Sequence, residues 1–156
     1  MLALALTLVV FGSGCALRHH KGNLDRMQDA ISLPEEEAAT DTANLQQRVV
    51  SLYDILKTDK LTTNLTKRKI AGFFNDEKDL VDFVAIYSSL FRRMGFKKER
   101  VASYKIQDIL IEENGVIGLV RIDIKGRYYS IWTSKISEVQ EWQKIGSQWY
   151  ILPKVY

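Results

Sequence analysis

Between Ala43 and Lys60 the apolar residues Leu45, Val49, Leu52, Tyr53 and Leu56 recur every three or four positions, the spacing that lines one face of a helix. Asp41 or Thr42 stands where a side-chain cap belongs, so the pattern predicts that the first helix starts there. NLTKRKIAGFF carries Leu65, Ile70, Phe73 and Phe74 at spacings that predict a shorter second helix. The longest stripe runs through NDEKDLVDFVAIYSSLFRRMGF as Leu80, Phe83, Val84, Tyr87, Leu90, Phe91 and Met94. Asn75 or Asp76 would cap this third helix, and Gly95 would end it in a left-handed turn with Phe96 packing beyond.

After Arg100 the period falls to two, and β-branched and aromatic residues take over. Asn114-Gly115 is a strong hairpin signal, because both residues tolerate positive φ. With those two as the loop, Ile109 faces Val120, Asp108 faces Arg121 and Gln107 faces Ile122. One face then collects Ile109, Ile111, Val120, Ile122 and Ile124 for the helices; the other carries Ile106, Leu110, Leu119 and the Asp108/Arg121 pair. A second turn at Lys125-Gly126 would put Tyr129 and Ile131 on the helix side and Tyr128 and Trp132 on the mixed side. Ser130 to Lys144 is long for one strand and predicts a bend or bulge near Ser134 to Ser137. A last turn at Ile145-Gly146 would set Trp142 opposite Trp149. Three helices followed by about four antiparallel strands is an α+β layout, with a curved sheet over a helical layer.

The first forty residues follow no such pattern. Met1 to Phe11 is apolar and uncharged, yet only 14 residues precede Cys15, and a membrane-spanning helix needs about 20. An apolar run followed by small residues has the form of a secretory signal. Ser13, Gly14 and Cys15, the only cysteine, resemble the lipobox of a bacterial lipoprotein, which implies cleavage before Cys15 and lipid on its thiol. Several acyl chains, at about 0.8 kcal/mol per buried CH₂, hold a protein on a bilayer. Residues 1–14 thus read as a signal peptide, 15–40 as a lipidated cysteine with a flexible tether, and 41–156 as one domain. Pro34 and Glu35-Glu36-Glu37 argue against a long helix within the tether. Of 22 basic and 19 acidic side chains the stretch 16–40 holds three and five, leaving the domain about five positive. That charge suits a membrane surface and is too diffuse for nucleic acid.

EVQEWQKIGSQWYILP resembles the closing hairpin of the nuclear transport factor 2-like superfamily through Trp142, Gly146, Trp149, Tyr150 and Ile151. VASYKIQDILIEENGVIGLVRIDI is similar to that fold's central hairpin, and LQQRVVSLYDILKTDK to its first helix, so the resemblance covers about Ala43 to Leu152. It implies a cone with a pocket between helices and sheet, used by some members for isomerase or dehydratase chemistry and by others only for binding. It also implies relatives among secretion and conjugation machines and accessory domains of cell-wall enzymes. Fold does not choose among these.

The residues favour binding. Both histidines, His19 and His20, lie in the tether, where adjacent imidazoles on a flexible segment read as solvated, so neither metal nor cofactor is expected. Asp108 and Asp123 point to the mixed face, and Asp108 reads as an ion pair with Arg121. An enzyme would need Asp108 or Asp54 as base and Tyr87 or Tyr104 as donor. Arg92, Arg93, Lys97, Lys98 and Arg100 match the dipole at the end of the third helix and could, with Lys67-Arg68-Lys69, meet an acidic partner. The expectation is a non-enzymatic, lipid-anchored envelope protein that binds protein partners or a second copy through the sheet face, at Trp132, Tyr128, Asp108 and Arg121. The alternative is a small-ligand or isomerase-like protein using the cone pocket. Ala16 is not the Asp that resembles an inner-membrane retention signal, which favours the periplasmic face of an outer membrane in a double-membrane bacterium. In a single-membrane bacterium the anchor would sit on the outer face of the cell membrane.

Overall fold

The computed structural model describes residues 35–112, 114–128 and 132–154. Cys15, His19-His20 and the signal segment lie outside the described residues, as do the expected positions of Tyr129 and Ile131. Helix α1 (Glu35–Thr58) is followed by α2 (Asn64–Ile70), a 3₁₀ turn (Ala71–Phe73), α3 (Glu77–Arg93) and a second 3₁₀ turn (Lys97–Glu99). Strands β1 (Ser103–Ile111), β2 (Ile117–Tyr128), β3 (Trp132–Ile145) and β4 (Gln148–Leu152) pair in sequence order as an antiparallel meander, the α+β layout expected. Among the described residues no helix is long and apolar enough to cross a membrane.

Helix α1 starts at Glu35, inside the stretch assigned to the tether, and Asp41 and Thr42 are helical residues instead of caps. Asp41 is instead buried, and Lys144 Nζ of β3 donates to both its oxygens at 2.7 Å. Leu45, Val49, Leu52, Tyr53 and Leu56 form the buried stripe. In α2, Thr63 caps the start, Ile70 is buried, and Leu65 is left 61% exposed, contrary to its place in the expected stripe.

Asp76 caps α3 by accepting from the Asp79 N–H at 2.8 Å, and Gly95 follows with φ +68°. Asp76→Ala is expected to lower stability by about 1 kcal/mol, read as a lower denaturant midpoint at unchanged slope. Phe83, Tyr87 and Phe91 of α3 pack with the α1 stripe against Val120, Ile122, Ile124, Trp142, Trp149 and Ile151 of the sheet.

The β1–β2 register is as expected from Asp108↔Arg121 to Ile111↔Gly118, although the loop is longer than two residues. A bulge at Gln107 then shifts it, so Ile106, not Gln107, faces Ile122. The bulge turns Tyr104 and Ile106 onto the core side, where both are partly buried. No turn occurs at Lys125-Gly126: β2 runs on to Tyr128, and β3 pairs with it without a break from Trp132 to Gln143. The bulge expected near Ser134 to Ser137 is likewise not there. Gly126 is needed because the Phe96 ring lies against its Cα. At the last turn Ile145 faces Gln148 and Gly146 takes φ +62°, so Trp142 faces Ile151 and Lys144 faces Trp149. This two-residue slip leaves both indoles buried in the core.

Candidate functional site

The unbroken register of β3 carries Glu138, Gln140 and Trp142 in phase, toward the helices. Gln140 is buried beside Trp142, and its Nε2 lies 2.6 Å from the Tyr53 hydroxyl, 2.8 Å from the Tyr87 hydroxyl and 2.7 Å from Glu138 Oε1. Tyr87 OH donates to the same Glu138 oxygen. An amide nitrogen has two hydrogens for these three neighbours, while Gln140 Oε1 is buried with no partner among the described residues. Burial is the main cause that pushes the Glu138 carboxyl above its ordinary range, against the bonds from Tyr87 and Gln140 and the charge of Lys154. Burial, and then the Glu138 charge, hold the Tyr53 and Tyr87 hydroxyls well above theirs.

This is the chemistry that sequence reasoning missed, although it named Tyr87 as a donor. The signal was parity: Glu138 stands four residues before Trp142 in one strand, and the bulge wrongly placed near Ser137 hid it. Glu138 lies on a small opening of about 20 Å³ between Tyr87, Leu90 and Pro153. That is room for about one water. The other proposed pair exists at the rim, where Tyr104 OH donates to Asp54 Oδ1 at 3.1 Å. Burial first, and then Asp54, push Tyr104 up to about 12.

The four expected partner-binding positions do not share one strand phase. Asp108 accepts from Arg121 Nη2 at 3.0 Å on the outer side of the sheet, the cross-strand ion pair expected. Tyr128 and Trp132 are paired directly, and their backbone register is in phase with Ile124 and Gly126, the helix side. The turn expected at Gly126 had reversed that phase. Also on the outer side, Asp123 is held by Lys135 at 2.9 Å, Ser137 at 2.6 Å and Gln107; the bonds from Lys135 and Ser137 bring its carboxyl down to about 2.

A larger concavity, about 910 Å³, opens between α2 and α3 and shares no lining residue with the opening at Glu138. Phe74 and Val84, both buried, belong to its lining, and Val81 stands 58% exposed at it. Lys67, Arg68, Arg92, Asp76 and Glu77 are its charged lining. Sequence reasoning named these cations but not the groove, which depends on how two helices diverge.

No protein-family model matches the chain, and no curated protein matches it. Among solved structures it is similar to a Campylobacter jejuni protein named "Putative NTF2-like transpeptidase", at 14% identity, over 74% of this chain and 98% of that one, with a TM-score of 0.41. A likeness that loose transfers neither residues nor activity.

Proposed function

We propose that this is a lipid-anchored envelope protein whose folded domain, on the nuclear transport factor 2-like plan, is a non-enzymatic module for binding protein partners. One observation carries the second half: the inward carboxylate is closed in by side chains behind an opening of about 20 Å³, whereas the roomy concavity of about 910 Å³ lies outside, between two helices. A substrate needs space beside its acid or base before any pKa matters. The Glu138–Tyr87 contact favours the second reading, a small-ligand or isomerase-like pocket, but there is no room for a substrate there.

The anchoring half rests on Ser13-Gly14-Cys15 behind an apolar run. It places the domain in the envelope, at the periplasmic face of an outer membrane or the outer face of a single one. Labelling cells with a fatty acid is expected to mark the wild type and not Cys15→Ser, and unlabelled wild type overturns the anchor. For the domain, Glu138→Gln is expected to complement the envelope phenotype of a deletion strain. Failure to complement at normal abundance would assign chemistry to Glu138.

A further inference from the structure

The groove runs between α2 and α3, with Ala71, Phe74, Asn75 and Asp76 of their connection also in its lining. Two helices offer no open strand edge for an extended segment to pair with, whereas a helix satisfies its own backbone groups. Its apolar contacts are Phe74, Leu80, Val81 and Val84. An exposed valine above buried neighbours leaves a hydrophobic strip for one face of such a helix.

Charge decides what flanks that face. Lys67, Arg68 and Arg92 have no acidic partner among the described residues, where the ion pairs engage other cations. Among the described residues the Arg92 side chain hydrogen-bonds to the Ser88 carbonyl alone, through Nε at 3.3 Å. Asp76 is engaged as the cap of α3, accepting from the Asp79 N–H at 2.8 Å, and Glu77 lies in the first turn of that helix, so the unmatched charge of the lining is the cationic set. An anionic lipid headgroup would answer those cations but leave the exposed Val81 uncovered. The chain's own stretch 16–34 holds three basic and two acidic residues, the wrong sign for the cations.

We propose that the α2–α3 groove is the docking site for an acidic amphipathic helix of a partner protein, its apolar face on Val81 and its carboxylates toward Lys67, Arg68 and Arg92. This rests on the binding-module reading and names the partner's chemistry.

The test uses the full lipid-bearing chain in nanodiscs of neutral lipid and a fluorescent helical peptide of about 18 residues, leucine on one face and glutamate on its flanks. Anisotropy is expected to show binding that weakens about tenfold with Val81→Asp, with Lys67→Glu/Arg68→Glu, and with added salt. Lys105→Glu, exposed on the outer side of the sheet, should change nothing, and a lysine-flanked peptide should not bind. Equal binding of both peptides, or indifference to Val81→Asp, overturns the proposal. So does attachment to phosphatidylglycerol vesicles, lost in Lys67→Glu/Arg68→Glu, without peptide binding, and so does a dimer in sedimentation that Val81→Asp dissociates. Photo-crosslinkers at Val81 and Arg121 in native envelopes separate the two readings. A partner captured only from Arg121 overturns the groove and spares the binding module; none from either position counts against the module itself.

Discussion

Gly126→Ala is expected to destabilise the domain by about 3 kcal/mol, although alanine favours a strand over glycine by about 0.5–1 kcal/mol. The native φ at Gly126 is not positive, so the backbone accepts alanine and the penalty is purely one of contact. A Cβ there would fall within the Phe96 ring, nearest Cγ, Cδ1 and Cδ2. The ring cannot swing aside. It is 4% exposed and stacked on Phe91 at a centroid distance of 4.9 Å, and its backbone N–H is tied to the Phe91 carbonyl at 2.8 Å.

Because one contact causes the loss, a double-mutant cycle isolates it. Phe96→Ala alone is expected to lower stability by about 3–4 kcal/mol through the cavity it leaves. Gly126→Ala added to it should do no further harm and should recover part of the strand preference. Denaturant midpoints of the four proteins check this. If Gly126→Ala matches the wild type, Phe96 does not pack on β2 as described.

Gly126 also shows where sequence pattern stops. Lys-Gly reads as a turn because glycine is usually needed for its own φ, whereas here it is needed by a ring arriving from residue 96. Nothing local announces that. The same error reversed the strand phase of Tyr128 and Trp132. The bulge at Gln107 is equally silent, and it alone decides that Tyr104 and Ile106 face the core. For α3 and the central hairpin the information is local, and there the reading held. The stripe and caps of α3 follow from spacing and one carboxylate, and the Asp108–Arg121 pair follows from Asn114-Gly115. Spacing shows only that Glu138 is in phase with Trp142; the cluster's Tyr53 and Tyr87 come from helices far away in sequence, and the groove depends on how α2 and α3 diverge.

Glu138→Gln is expected to make the folded protein more stable at neutral pH, whereas Glu138→Ala should lower stability by about 1–3 kcal/mol. Alanine leaves the Tyr87 hydroxyl without its acceptor in a closed site, while the Gln140 amide keeps the two tyrosine oxygens. Glutamine keeps an oxygen for Tyr87 and offers an N–H toward Gln140. That amide can turn so that Oε1, now without a partner, accepts from it and from the Tyr53 hydroxyl. The pH dependence follows from the raised carboxyl. An unfolded glutamate titrates near about 4.3, so between that pH and the higher folded value the folded state binds more protons. Wild-type stability therefore declines as pH rises through that window and stays lower above it, a limb that Glu138→Gln lacks. Asp123, with its carboxyl down at about 2, acts the other way: its contribution is present above about pH 4 and lost as pH falls toward 2. The two windows do not overlap, and subtracting the variant's pH–stability curve from the wild type's isolates Glu138. Were Glu138→Gln to destabilise as much as Glu138→Ala at neutral pH, the cluster would require the negative charge itself, and the carboxylate would be held ionised for a purpose that packing does not explain.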